Sequence, residues 1–241
     1  MSINASILRR ELQALANPAK AKLLAGFFKT GPGQYGEGDL FLGITVPQLR
    51  AVVKAHPGLP VKEAVALLKT GRHEERLCAL LFLVDAYQRA ADDAGRGDAV
   101  RAYLAHLHKV NNWDLVDASA HQILGEWMVE RSRAPLRTLA ASKVMWERRV
   151  AMVATYAFIR RGESKDTLDL AERLLGDPQD LMHKAVGWML REVGKQVAMA
   201  DLRGFLKKHA ESMPRTALRY AIERMEPMER KKWMGTQGWG F

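Results

Sequence analysis

The sequence has a single cysteine, Cys78, and few aromatic residues, which make up 7% of its 241 positions. One cysteine excludes a disulfide within the chain and a cysteine-rich zinc site, and it favours a reducing compartment. No apolar run approaches the roughly 20 residues that a membrane-spanning helix requires. The first residues also lack the charged start and apolar stretch of a signal peptide. We therefore expect a cytoplasmic protein with no membrane partner.

Several other patterns are missing. No stretch alternates apolar and polar residues as a half-buried strand does, so β-structure should be minimal. The glycine-rich segment 31–39 contains no Gly-Lys-Ser/Thr and follows no strand, so we interpret it as a surface loop rather than a phosphate-binding loop. His106, His108 and His121 have no carboxylate or cysteine at ligand spacing on one helix. We expect no metal and no cofactor.

Positive charge is in excess. The chain has 37 Lys+Arg against 27 Asp+Glu, a formal net charge of +10. The excess is localised, because residues 130–165 hold nine basic and three acidic residues and residues 202–241 hold nine and four. A polyanionic partner, nucleic acid first, is one interpretation of this pattern. A surface charge that only keeps the protein in solution is the alternative.

Amphipathic helical patterns cover most of the chain. The first two run from Ser6 to Ala16 and on to about Phe28, and a third follows Thr45 and Pro47 to about His56. From Pro60, shorter and longer helices alternate in pairs: 60–70 with 73–90, 97–108 with 112–127, 135–142 with 145–161, 165–175 with 179–195, and 199–209 with 213–225. The pairs start roughly 30 to 40 residues apart, the range of two-helix repeats. We predict an all-α superhelical array of helix pairs, one domain over residues 1–234, with a flexible tail over 235–241.

The stretch from Asn111 to Trp127 carries the clearest functional signal. It predicts a helix capped by Asn111 or Asn112, with Trp113 and Asp117 four residues apart and so on one face. One interpretation is a core tryptophan beside an aspartate that stabilises the helix dipole. The other is a functional pair of indole and carboxylate.

Four segments, in order, resemble the AlkD-type DNA glycosylases of the DNA alkylation repair family, which are built from HEAT-like helical repeats. They are Phe41-Leu42-Gly43-Ile44 with Pro47 and Arg50, Trp113-Asp114-Leu115-Val116-Asp117, Trp146-Glu147-Arg148-Arg149-Val150-Ala151, and the run from Lys184 to Glu192. The resemblance covers about residues 7 to 225. It implies hydrolysis of the N-glycosidic bond of cationic alkylpurines, such as N3-alkyladenine and N7-alkylguanine, through contact with the backbone of the lesion rather than insertion of the base.

The resemblance also implies site residues and a partner. The catalytic carboxylate falls on Asp117, the active-site indoles on Trp113 and Trp188, and the groove arginine on Arg149. The further residues that we expect to bind DNA are Arg148, Lys184, Arg191, Arg215, Arg219 and Thr45. The expected partner is double-stranded DNA containing alkylated bases, bound by a monomer that is nucleoid-associated when on DNA. The segment 31–39 is longer than in the best-known members, and its Glu37 and Asp39 would lie near DNA.

Two other functions fit the same pattern. One is a non-catalytic HEAT-like repeat protein that binds damaged or branched DNA, and the other is a helical scaffold for other proteins. The basic excess after residue 130 argues against the scaffold. Asp117 beside Trp113 separates the glycosylase from the non-catalytic binder.

Overall fold

The computed structural model describes residues 3–235. Over this range the chain is helical, and extended pairing is confined to a bridge between Leu40 and Arg72. The all-α prediction is confirmed. Except for Gly235, the tail predicted to be flexible lies outside the described residues. In the described part of the chain, no helix is both long and apolar enough to cross a membrane.

The chain divides into two compact units, Met1–Ser119 and Ala120–Phe241. The division falls in the helical stretch that begins at Trp113. One domain over residues 1–234 stays a prediction.

The N-terminal unit is built from paired helices. They are α1 (Ala5–Ala14), α2 (Pro18–Phe27), α3 (Val46–Ala55), α4 (Val61–Leu68), α5 (His73–Arg89), α6 (Asp93–Ala105) and α7 (Trp113–Ala120). Asparagine side chains cap the N-termini of α1 and α2. Asn4 and Asn17 accept hydrogen bonds from the backbone N–H of Ile7 and Lys20, each at 3.0 Å. Helix α5 is the core element of this unit, because every residue from His73 to Val84 is buried, including Cys78.

The C-terminal unit is also built from paired helices. After a π-helical turn at His121–Gly125, its helices are α8 (Glu126–Met128), α9 (Ala134–Ala140), α10 (Met145–Ala154), α11 (Tyr156–Ile159), α12 (Lys165–Leu174), α13 (Asp180–Gln196), α14 (Met199–His209), α15 (Arg215–Ala221) and α16 (Pro227–Gly235). Helix α13 is central here and packs against α10, α12, α14 and α15. A Cβ at Gly187 would lie 2.4 Å from the carbonyl oxygen of Ala217, so this glycine allows α13 and α15 to touch closely.

Some details differ from the sequence-based prediction. A helix was predicted to begin at residue 97, but α6 begins at Asp93 and includes both Gly95 and Gly97, because the Asp92 carboxylate caps the helix by accepting from the N–H of Gly95 at 2.9 Å. The helix predicted over 145–161 is interrupted at Thr155, whose hydroxyl donates to the Met152 carbonyl at 2.7 Å. Helix α16 was not predicted.

Candidate active site and nucleic-acid interface

Trp113 is the first residue of α7, and it belongs to an aromatic cluster in the N-terminal unit. Its half-buried indole stacks on Phe28, with ring centroids 5.2 Å apart, and meets the edge of Phe27 at 6.0 Å. Phe28 in turn stacks on Phe41 at 5.1 Å. The first motif of the resemblance and the Trp113 motif are therefore in contact through Phe28, the residue that follows α2.

The base of this cluster is a buried ion network centred on His73. One ring nitrogen of His73 lies 2.7 Å from the Asp39 carboxylate and the other 2.8 Å from that of Asp114. Arg76 donates to Asp39 at 2.6 Å and also to Asn111. Because Asp114 follows Trp113 directly, the network anchors the first turn of α7.

The two carboxylates determine the charge of His73. Burial on its own lowers the pKa of the imidazole, but hydrogen bonds and charge interactions with Asp114 and Asp39 outweigh it and raise the pKa to about 9. Burial raises the pKa of Asp39, and His73 and Arg76 more than reverse that effect, so its pKa lies below the usual value. At neutral pH His73 is a cation that donates from both nitrogens.

Glu74, the next residue of α5, holds the segment 41–44. Its carboxylate accepts from the backbone N–H groups of Leu42 at 2.8 Å, Gly43 at 2.7 Å and Ile44 at 3.2 Å. Gly43 has φ +84°, and a Cβ there would lie 2.1 Å from the carbonyl oxygen of Asn17. Only glycine fits this turn, which explains its place in the motif.

Asp117 lies one turn after Trp113 on α7 and is half-buried. It is close enough to the buried Tyr103 that its negative charge, after burial itself, helps to raise the pKa of that phenol. Ser119 donates to the Leu115 carbonyl at 2.6 Å and lies 3.1 Å from the Tyr103 hydroxyl. Asp117 therefore lies close to a buried phenol whose hydroxyl is hydrogen-bonded to Ser119.

Trp188 lies on α13 in the C-terminal unit, half-buried in a second aromatic group. Its ring centroid is 6.3 Å from that of Tyr156, and the Tyr156 ring meets His121 edge-on at 5.3 Å. The Tyr156 hydroxyl accepts from Gln196 at 3.1 Å. Tyr156 was not singled out from the sequence, where it is one aromatic residue in an apolar stretch.

Arg149, the expected groove arginine, and Arg148, expected to bind DNA, both make internal contacts. Arg149 is only 4% exposed and donates to the carbonyl of Leu181 at 2.5 Å. Arg148 forms a two-point ion pair with the buried Asp177, at 2.5 and 3.2 Å, and also donates to the carbonyl of Ser142. Both guanidinium groups therefore hold the connection from α12 to α13, the helix that carries Trp188.

The other predicted DNA-binding residues lie nearer the surface. Lys184 pairs with Asp180 one turn earlier on α13 at 2.8 Å, and Arg191 pairs with Glu192 at 3.1 Å and with Glu223. Arg215 and Arg219 are exposed on α15. In the N-terminal unit, Thr45 precedes α3, where its backbone N–H and hydroxyl both donate to Gln48, at 3.0 and 2.7 Å.

Asp39 lies elsewhere than expected, and a charged run in α5 is unexpectedly buried. Asp39 was expected near DNA, but its side chain is buried against His73 and Arg76. His73, Glu74, Glu75 and Arg76 form four consecutive charged residues, which normally indicate a solvated face, yet all four are buried. The signal that was available is their position directly before the apolar run that starts at Leu77.

Comparison with known proteins identifies the family to which this chain belongs. The sequence model of the DNA alkylation repair enzyme family matches residues 8–225, and the chain therefore belongs to that family. A solved structure from Enterococcus faecalis, described as a predicted DNA alkylation repair enzyme, superposes with a TM-score of 0.68 at 19% identity, over 88% of this chain and 97% of that one. At that identity the likeness shows the shared fold. A comparison with curated proteins finds no match.

Proposed function

We propose that the chain is a monofunctional, metal-independent DNA glycosylase that hydrolyses the N-glycosidic bond of cationic alkylpurines, N3-alkyladenine and N7-alkylguanine, in duplex DNA. Membership of the DNA alkylation repair enzyme family supports the class of damage. The observation that carries the proposal is the pair formed by Trp113 and Asp117, an indole and a half-buried carboxylate one turn apart at the start of α7.

The chemistry needs only one carboxylate. When the bond between C1′ and the ring nitrogen breaks, its electron pair goes to the base, which leaves neutral because its ring was cationic. No general acid is required, unlike in most glycoside hydrolases, which use two carboxyl groups. Asp117 stabilises the positive charge that develops on the sugar and orients the attacking water, which loses a proton to solvent.

The indoles supply binding rather than proton transfer. Trp113 and Trp188 offer π faces that attract a cationic nucleoside by roughly 0.5 to 2 kcal/mol. Trp113 is kept in place by Phe28 and by the ion pair of the adjacent Asp114 with His73. Arg149 acts at the site by holding the start of α13, the helix of Trp188.

Side chains near the surface, four cations and one hydroxyl, bind the DNA backbone in this proposal. Phosphate contacts set the register of a protein on duplex DNA without reading its sequence. The residues that we assign to this role are Lys184, Arg191, Arg215, Arg219 and Thr45, with Arg148 contributing through the α12–α13 connection.

The proposal is tested by Asp117→Asn, measured by release of free N7-methylguanine from methylated duplex DNA in single turnover. The substitution keeps the size and removes the charge, so we expect release to slow by about 100-fold or more, the scale for losing one preorganised electrostatic group. DNA affinity should be unchanged or slightly higher. The matched control is Asp98→Asn, because Asp98 is an exposed carboxylate on α6 of the same unit.

A purely structural role of Asp117 predicts a different result for the same variant. If Asp117 only supports the helix dipole, Asp117→Asn lowers stability by about 0.3–1 kcal/mol and leaves release per folded molecule nearly normal. Normal release in that variant would refute its catalytic role. If the unaltered protein bound DNA but released no N7-methylguanine, the result would support the non-catalytic DNA-binding function instead.

A further inference from the structure

The N-terminal unit contains an open cavity of about 580 Å³ between α2, α3 and the start of α7. Its lining is almost entirely carbon, and the side chains that matter here are Leu23, Phe27, Phe28, Phe41, Val46 and Trp113. The volume falls in the range of small-ligand sites, about 300–1,000 Å³. Of the residues proposed for catalysis, only Trp113 lines this space, and Asp117 does not.

Three of the lining side chains project into solvent. Leu23 is 73% exposed, Phe27 is 64% exposed and Val46 is 44% exposed. Single exposed apolar residues are ordinary, but a group of them at the mouth of an apolar cavity is the usual mark of a binding surface. Phe27 has edge contacts with Phe28 and Trp113, but most of its surface is in water.

The charges around the cavity indicate what kind of ligand it takes. Helices α2 and α3 contain no Asp or Glu, and their exposed ionisable residues are all cations: Lys20, which lines the cavity, and Lys22, Arg50 and Lys54, which lie elsewhere on the same two helices. None of these four forms an ion pair within residues 3–235. The carboxylates at the base already have partners: Asp114 is paired with His73, and Glu74 accepts hydrogen bonds from three backbone N–H groups.

We infer that this cavity receives one unpaired nucleobase of DNA, which stacks on Phe27 beside Trp113, while the cations of α2 and α3 bind the adjoining phosphates. Aromatic faces in a basic groove bind single unstacked bases of any sequence, because every base has a π face. The polar edges of the base remain in water at the open mouth. The inference rests on the proposed function only in that DNA is the ligand.

Other occupants fit less well. An apolar side chain of a partner protein would fill the cavity but would leave Lys20 at its rim, and the other cations of α2 and α3, without a role. A second copy of this chain would bring the same cations to the interface, and like charges placed together oppose association. A nucleotide satisfies both the apolar lining and the rim.

The test compares two DNA probes, a fully paired duplex and the same duplex with one bulged adenine. We expect Phe27→Ala to weaken binding of the bulged duplex by about tenfold, within the range for loss of one base–aromatic stack, and to leave the paired duplex unchanged. Phe27→Tyr keeps the ring and should bind as the unaltered protein does. Leu104→Ala is the matched control, an exposed apolar residue on α6 that does not line the cavity.

A direct readout uses 2-aminopurine in place of the bulged adenine. Its emission should change on binding the unaltered protein and not on binding Phe27→Ala. The inference would be overturned if Phe27→Ala weakened both duplexes equally or neither, or if the protein did not bind DNA. It would also be overturned if the protein were a dimer that Phe27→Ala dissociates. Release of methylated bases is independent of this result: normal release without a Phe27 effect defeats only the inference, and a Phe27 effect without release defeats only the glycosylase proposal.

Discussion

His73→Gln tests whether the buried network at the start of α5 depends on a positive charge. The imidazole lies between the carboxylates of Asp39 and Asp114, at 2.7 and 2.8 Å. Glutamine has similar length and donates only from its single amide nitrogen, and it cannot carry a positive charge. The substitution therefore removes the cation while it leaves a polar side chain between the two carboxylates.

The magnitude follows from the pKa. The ordinary pKa of 6.5 rises to about 9 in the folded protein, and each pH unit of difference corresponds to about 1.36 kcal/mol. A raised pKa means that folding favours the protonated form. The stabilisation, about 3 kcal/mol, is therefore fully present below pH 6.5, falls to about 1 kcal/mol at pH 8, and is lost as the pH rises through 9.

The assay is the free energy of unfolding from urea titrations at pH values between 6 and 9, for the unaltered protein and His73→Gln. We expect the gap between the two to shrink by about 3 kcal/mol across this window. The buried Cys78 thiol, whose pKa burial raises from 9.0 to about 12, begins to affect stability only near pH 9, where the unfolded chain ionises, and it affects both proteins equally. The control is His108→Gln, an exposed histidine, whose effect should stay within about 0.5 kcal/mol.

A gap that stays constant from pH 6 to 9 would refute the reasoning, because it would mean that His73 is not held as a cation. A gap that widens with pH would mean that the neutral imidazole is the stabilising form.

Two further predictions concern Gly43 and the arginines. Gly43→Ala should lower the free energy of unfolding by about 2 kcal/mol or more, because of its positive φ and the close carbonyl of Asn17. Gly204 lies in α14, where an added Cβ would contact no other atom. Gly204→Ala should therefore raise the free energy of unfolding by about 0.5–1 kcal/mol in the same urea titrations. Arg149→Met should cost about 1 kcal/mol of stability by removing the hydrogen bond to the Leu181 carbonyl and leave the salt dependence of DNA binding unchanged. Arg219→Ala, at an exposed position, should weaken damaged and undamaged duplex alike and reduce the slope of log K against log salt by about 1, with stability unchanged. The reverse pattern for the two arginines would contradict their placement.

The helices were predictable because their apolar periodicity is local. The ranges predicted for α5, α12 and α14 agree with the structure to within a residue or two at each end. Where the prediction was wrong, a single side-chain contact outweighed the residue preference: the Asp92 cap starts α6 in spite of Gly95 and Gly97. Residue preferences carry no information about such a contact unless the cap is recognised.

The candidate site was predictable only in part. Trp113 and Asp117 share a helix, so their spacing alone places them on one face. The His73 network joins residues 34 to 41 positions apart in the chain, and no local pattern specifies such pairings. The burial of Arg149 also depends on long-range packing, which turns a residue that resembles a surface cation into one that binds a backbone carbonyl.

The burial of Cys78 has a consequence for a protein of this family. Methylating agents that damage DNA also attack thiolates, and the thiolate is the reactive form of cysteine. Cys78 is fully buried in α5 and its pKa is raised to about 12, so at neutral pH almost no thiolate exists and no reagent reaches it. The chain therefore presents no cysteine nucleophile to the electrophiles that create its proposed substrates, and a cysteine introduced on its surface would be the one site open to a thiol-specific label.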